Sequence, residues 1–474
     1  MQRRWRAAVA GLGASALALG ASALALAAVF LGGPLGVHPP TLGLNTETFF
    51  TLRSVLPAGA SFGRLAFVRD GDLWLRALPD GPEHRLTTDQ HNDEPRWSGS
   101  GAWIAVRHQA SSAAPAATEE VVVLSADGGG RHLLGTTSRG GDIAWSSSAD
   151  RLAFIEDDHA VVVDATGSQR VELPHTTSVA WSPDGAWLAY VRLDTLAPAS
   201  GGQPPPRRAS LWRVRSDGAD AQLVFDAGAP SSEFLVLAGW APDGSHILFW
   251  TDRGFSASGM ADGVPLEAVP AAGGLPVAIV PTMLAYPDFL AWAPRDGQRL
   301  ALVRGGRRPS WFGKSIGVIQ LGGALSDLAQ ADSVELFPAW SPDGQWLAYT
   351  TAPAVQTEGG NEARAASSQR RIGIMHPDGT DRRVLPSVPA AQDERPRWSA
   401  DGRMLLFSRV VNGARPQLWL MHADGSDPQL VADNLDVQAL TGAAATADAA
   451  WNGFYGYLRW DRAYDWWQPA GGAQ

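Results

Sequence analysis

The sequence predicts an all-β fold, a closed β-propeller of four-stranded blades, and three observations carry that prediction. A tryptophan followed by a small or polar run recurs seven times, at Trp97, Trp145, Trp181, Trp240, Trp292, Trp340 and Trp398. The mean spacing is about 50 residues, the period of a propeller, solenoid or array. A short apolar strand follows each turn. Its copies are Leu65-Ala66-Phe67-Val68, Trp103-Ile104-Ala105-Val106, Leu152-Ala153-Phe154-Ile155, Trp187-Leu188-Ala189-Tyr190, Ile247-Leu248-Phe249-Trp250, Leu300-Ala301-Leu302-Val303, Trp346-Leu347-Ala348-Tyr349 and Met404-Leu405-Leu406-Phe407. That makes one strand more than the tryptophan turns, and the extra copy is the first.

One repeat shows how each element arises. Val179-Ala180-Trp181 is a short apolar strand. Ser182-Pro183-Asp184-Gly185 is a turn, with proline pre-setting φ and glycine accepting the left-handed exit. Trp187 to Val191 is almost continuously apolar, as in a sheet covered on both faces. Leu211-Trp212-Arg213-Val214, a Ser216-Asp217-Gly218 turn and Gln222-Leu223-Val224-Phe225 supply the third and fourth strands. The first copy lacks a tryptophan strand, and Ala449-Ala450-Trp451-Asn452-Gly453 can provide it. Pairing the two chain ends closes the ring without an exposed edge. Eight blades are therefore expected, or seven if Trp451 is not a blade strand.

The repeat Trp-Ser-Pro-Asp-Gly-x-x-Leu-Ala-Tyr, with Leu-Trp and Asp-Gly one strand later, resembles the TolB-like propeller repeat. That repeat also occurs in the propeller domains of prolyl oligopeptidases and dipeptidyl peptidases. The resemblance covers about residues 60 to 460 and implies the fold, whereas the family mixes binding scaffolds with enzyme appendages. Its best-known members have six blades, so eight would be a departure. WD-repeat proteins are less similar, because the period here is longer and their Gly-His and Trp-Asp marks do not recur.

Outside the repeats, residues 1–6 form a basic tail and residues 7–33 run without a charge. A helix over 7–33 would be about 40 Å long, enough to cross a bilayer. The arginines place the rest of the chain outside the cytoplasm. An uncleaved anchor is the favoured reading. Signal cleavage near Ala25-Leu26-Ala27 is the alternative, giving a secreted or periplasmic protein. Residues 34–62 read as a linker, 63–460 as the propeller and 461–474 as an aromatic C-terminal tail. The insertions at 110–118, 198–208 and 352–368 read as mobile loops. The chain has no cysteine, which removes disulfides, thiolate metal sites and cysteine nucleophiles. A net charge of −10 argues against nucleic acid as a partner.

Any chemistry is expected in the loops just before each tryptophan, which cluster at one mouth of the channel. Asp93, Glu94, Asp142, Asp288, Glu335, Asp393, Glu394 and Asp448 lie there. Crowded carboxylates would favour Ca²⁺ or another divalent cation, or a basic partner. The alternative is that they cap turns through their own backbone. His91 and His175 occupy the same loops, and with a metal they would suit a lyase or hydrolase. The only Gly-x-Ser-x-Gly string, Gly59-Ala60-Ser61-Phe62-Gly63, precedes the first strand and lacks the strand-to-helix context of a nucleophile. The tryptophans, including Trp451, are expected to lock blades together. The favoured function is a membrane-tethered, extracytoplasmic scaffold binding an envelope protein or ligand without catalysis. A metal-assisted enzyme and a small-ligand sensor are the alternatives.

Overall fold

A computed structural model describes residues 61–109, 118–138, 141–196, 206–228, 233–253, 262–294, 297–356, 360–436 and 455–469. The expected tail 1–6, the anchor 7–33, nearly all of the linker 34–62, Asp448 and Trp451 lie outside these residues. Among the described residues no helix is long and apolar enough to cross a membrane.

The chain forms eight antiparallel sheets of four strands each. In blade 4, for example, Thr176–Trp181, Trp187–Thr195, Arg207–Arg215 and Gln222–Asp226 follow in order. The first strands of the other blades are Asn92–Trp97 in blade 2, Ile143–Trp145 in blade 3 and Phe234–Trp240 in blade 5. Blades 6, 7 and 8 begin with Leu290–Trp292, Ser333–Trp340 and Ala391–Trp398. First strands of neighbouring blades touch, as between blades 4 and 5 or 7 and 8. They therefore surround the central channel.

Blade 1 closes the ring, and here the structure corrects the sequence reading. Arg64–Arg69, Asp72–Ala77 and Glu83–Arg85 are its outer three strands, and Tyr464–Trp467 pairs with Arg64–Arg69 as the first. The closing strand is thus not Ala449–Gly453, and 461–474 is not a tail appended to a finished propeller. Eight blades stand without Trp451. The physical reason is register. Leu65 faces Trp466 as Ile104 faces Trp97 and Leu188 faces Trp181, so Trp466 takes the place that Trp97 or Trp181 holds in its own blade.

The tryptophans do hold blades together, through a repeated hydrogen bond. The indole N–H of Trp145, Trp181, Trp240, Trp340 and Trp398 donates to the backbone carbonyl of Arg96, Ala144, Ala180, Ala291 and Ala339 respectively, at 2.9–3.1 Å. Each acceptor is the residue just before the tryptophan of the preceding blade. The turn after the tryptophan is also built by its own side chains. In blade 4, Ser182 Oγ donates to Asp184 Oδ1 at 2.6 Å and accepts from the Trp187 backbone N–H at 2.9 Å, while Gly185 sits at φ 65°. Ser341–Asp343 and Ser399–Asp401 repeat the arrangement.

Apolar clusters fill the space between sheets, such as Ala189, Leu211, Trp240, Ile247 and Phe249 between blades 4 and 5. Each such fully buried large side chain contributes about 1.5–3 kcal/mol. The insertion at 352–368 differs from the expected mobile loop. It contains a helix, Gly360–Ser368, whose Ala363 and Ala366 are buried against Trp311 and Phe312.

Candidate functional site

A bulge in the first strand recurs in blades 2, 7 and 8 and determines what points into the channel. The register slips between Asp93 and Arg96, between Leu336 and Ala339, and between Glu394 and Arg397. In each case the bulged residue precedes a proline and has a positive φ: Glu94 at 53°, Phe337 at 52° and Arg395 at 53°. Proline cannot donate to the ladder, and a bulge re-aims the side chain beside it. Such a conformation costs a non-glycine residue about 1–3 kcal/mol and persists only where its surroundings fix it.

The acids expected at the channel mouth do not form an open carboxylate ring. Glu94 is buried and meets Arg107 Nε at 2.7 Å, Arg96 Nη2 at 3.1 Å and Arg462 Nε at 3.2 Å. Burial opposes its ionisation, but Arg107 and Arg96 outweigh it and hold the carboxyl below the usual range. Asp93 has one cation, Arg462 Nη1 at 3.4 Å, and burial pushes its carboxyl up to about 7. Asp393 is gripped by Arg409 through Nε at 2.6 Å and Nη2 at 2.9 Å. Glu394 accepts from Arg370 Nη1 at 2.6 Å and from Trp460 Nε1 at 2.9 Å. Glu335 pairs with Arg382 and accepts from the Ile316 N–H at 3.1 Å. Asp142 accepts from Ser178 Oγ at 2.7 Å and the Val179 N–H at 3.0 Å, clasping blade 3 to blade 4.

Each of these acids thus meets a cation or a hydrogen-bond donor of the protein itself, and the structure does not bring them together as a shared ligand set. The histidines are not brought to them. His175 is half exposed at φ 55° with Nδ1 3.5 Å from Asp158, and exposed His91 stands edge-on to His108. Among the described residues no group of three or more His, Asp or Glu side chains is placed to hold a metal ion. Turn capping, the blander reading of these acids, is also only part of the account. Most of them bind arginines rather than their own backbone.

Two of the partners, Trp460 and Arg462, come from a segment the sequence reading treated as packing and tail. Residues 455–469 bring a short helix, Trp460–Ala463, and the closing strand to the channel. Arg462 is 2% exposed and faces three carboxylates, Asp93, Glu94 and Glu119, at 3.2–3.4 Å. Asp461 accepts from Arg96 at 2.9 Å and Arg459 at 3.2 Å, and these cations hold its carboxyl far below the usual range despite burial. Asp465 bridges three blades. It accepts from Arg397 Nη1 of blade 8 at 3.2 Å and from the Trp97 N–H of blade 2 at 3.0 Å.

Beside these pairs a cavity of about 410 Å³ opens on the channel. Its charged lining is Arg96, Arg395 and Arg397 with Asp288, Asp461 and Asp465. Tyr457 donates to Asp288 Oδ1 at 2.9 Å and stacks on Tyr286 with ring centroids 3.6 Å apart. Burial pushes the Asp288 carboxyl up to about 6, against the pull of Arg395. Of the sequence-predicted residues only Asp288 lines this cavity. The arginines one and three residues before a tryptophan were missed, although the shared strings Glu94-Pro95-Arg96-Trp97 and Arg395-Pro396-Arg397-Trp398 marked them.

No family model and no curated protein matches this sequence. Solved structures do match. Dipeptidyl peptidase 4 from Porphyromonas gingivalis is similar over 79% of this chain and 60% of its own, with 12% identity and a TM-score of 0.54. A eukaryotic initiation factor is similar over 78% of this chain and 85% of its own, with 14% identity and a TM-score of 0.50. TolB from Acinetobacter baumannii matches 71% of this chain and 66% of its own, with 17% identity and a TM-score of 0.35. The chain spans only about three fifths of the dipeptidyl peptidase it matches. Such likenesses show the fold alone, and this fold hosts unrelated functions. The likeness to the dipeptidyl peptidase agrees in fold with the resemblance of the repeat, and the chain itself is an eight-bladed propeller.

Proposed function

We propose that this chain is a membrane-tethered, extracytoplasmic propeller scaffold that binds a partner or ligand at its channel mouth and performs no catalysis itself. One observation carries the reading. The ring is closed by its own C-terminal strand and held by buried charge, and it leaves a preformed cavity where the first strands of blades 1, 2, 6, 7 and 8 converge. A concave, largely preformed site on a rigid frame is the usual geometry of a binding module. The tether rests on the basic run Gln2–Arg6 and the uncharged stretch from Ala7 to Gly33.

Photo-crosslinking in intact cells tests this. The full chain would carry a photoactivatable residue at Leu290, which lines the cavity, or at Leu223, an exposed position on an outer strand. Light-dependent adducts in the membrane fraction from Leu290 and not from Leu223 are expected. Equal adducts from both positions, or a chain found only in the cytoplasmic fraction, would overturn it.

A further inference from the structure

The same bulge position is occupied by Glu94 in blade 2 and Arg395 in blade 8, and the two are treated very differently. Glu94 is compensated by three arginines. Arg395 has a side chain only 16% exposed, yet its guanidinium makes no hydrogen bond among the described residues. Its contacts are an ion pair with Asp288 at 3.6 Å and the face of Tyr464 at 5.5 Å. Its backbone is fixed by the Arg395 N–H, which donates to Thr350 Oγ1 at 3.0 Å. A guanidinium carries five donors, and one this buried is ordinarily hydrogen-bonded. The other two arginines of the cavity are committed. Arg96 pairs with Asp461 at 2.9 Å, and Arg397 with Asp465 at 3.2 Å.

We propose that the channel cavity binds a small amino- or hydroxycarboxylate, with the Arg395 guanidinium taking its carboxylate. This rests on the reading of the channel mouth as the binding region and names the ligand class for it. A planar fork matches a carboxylate, and one guanidinium without a hydrogen-bonded partner matches one negative charge. A more highly charged anion would face Asp288, Asp461 and Asp465 with no second such arginine to balance it. Those aspartates instead call for donors. Asp288 Oδ2 and Asp461 Oδ1 lack hydrogen bonds among the described residues, and hydroxyl or ammonium groups of the ligand would supply them. A volume of about 410 Å³ lies at the small end of ligand pockets.

Titration calorimetry on the purified full chain tests the proposal with gluconate, lactate and glutamate as probes. Sorbitol serves as the uncharged counterpart of gluconate, and inorganic phosphate as a competing anion. Saturable binding of at least one carboxylate is expected, with no binding of sorbitol. Arg395→Met should weaken that binding about tenfold or more, and Arg395→Lys should fall between the two. The comparison of gluconate with sorbitol uses the wild-type chain alone and stands even if a variant fails to fold. The proposal is overturned if no carboxylate binds below about 10 mM. Phosphate binding as tightly as the best carboxylate, or a folded Arg395→Met that keeps full affinity, would overturn it too. Crosslinking from Leu290 that persists while no carboxylate binds would sink the ligand class and leave the scaffold reading intact.

Discussion

Arg462→Met is the sharpest test of how this ring stays closed. The side chain is 2% exposed and sits within 3.4 Å of Asp93, Glu94 and Glu119. Methionine keeps much of the volume and removes the charge. Glu94 retains Arg107 at 2.7 Å and Arg96 at 3.1 Å, so its loss is partial. Asp93 has no other ion pair among the described residues, and its carboxyl already lies near 7. Removing one partner of a buried pair costs about 3–5 kcal/mol, which for a domain this large lowers Tm by about 4–8 °C. The sign of the pH effect follows from Asp93. Its folded pKa is raised, so the stability this group confers is full below about 4 and is lost as pH rises through about 7. Without Arg462 the folded carboxyl must hold its proton longer still, so the deficit of the variant grows above pH 7. Denaturant midpoints of wild type and variant at pH 6 and pH 8 should differ more at pH 8, by about 1 kcal/mol or more. A change under about 1 kcal/mol at both pH values would refute the reasoning.

Truncation after Arg459 removes the closing strand and should abolish cooperative thermal unfolding, because Arg64–Arg69 then becomes an exposed edge; a retained sharp transition would contradict that. Trp398→Phe deletes the 3.1 Å indole bond to the Ala339 carbonyl between blades 7 and 8 and should cost about 1–3 kcal/mol in urea unfolding. Asp288 has a carboxyl raised to about 6, so its contribution to stability is lost as pH rises from about 4 through 6. Asp288→Asn should flatten the stability–pH curve across that window, read from urea midpoints at half-unit steps. Lys314, the single lysine, is buried, and its ammonium donates to the carbonyls of Gly306, Arg307 and Pro309 at 2.8–3.1 Å. Lys314→Met leaves those carbonyls unpaired and should lower the denaturation midpoint by an amount equivalent to about 2–4 kcal/mol.

The strands and turns were legible because their causes are local. A serine that caps its own turn, a glycine at positive φ and an alternating or continuous apolar run all act within a few residues of chain. The tryptophan staple was legible as a repeat, though its acceptor, one blade away, was not. The acids before each tryptophan were also found from sequence. The arginines that meet them were not legible, because a carboxylate in a string of letters shows its charge and not its neighbour. Arg107 is thirteen residues from Glu94, but Arg462 is 368 away. The closing strand illustrates the same limit. Trp467-Gln468-Pro469 echoes the tryptophan turns, yet Trp451 carried an equally plausible signal, and only pairing with Arg64–Arg69 separates them.

By itself, then, the sequence determined the repeat, the blade unit and the number of second strands, because each is set by short-range backbone preference and burial. The tertiary structure decided which segment closes the ring, which arginine neutralises which acid, and which guanidinium is left without a hydrogen bond among the described residues. Those outcomes depend on distances between residues hundreds of positions apart. Only the closed ring brings such residues within a few ångströms, where burial makes each pairing strong and each missing partner costly.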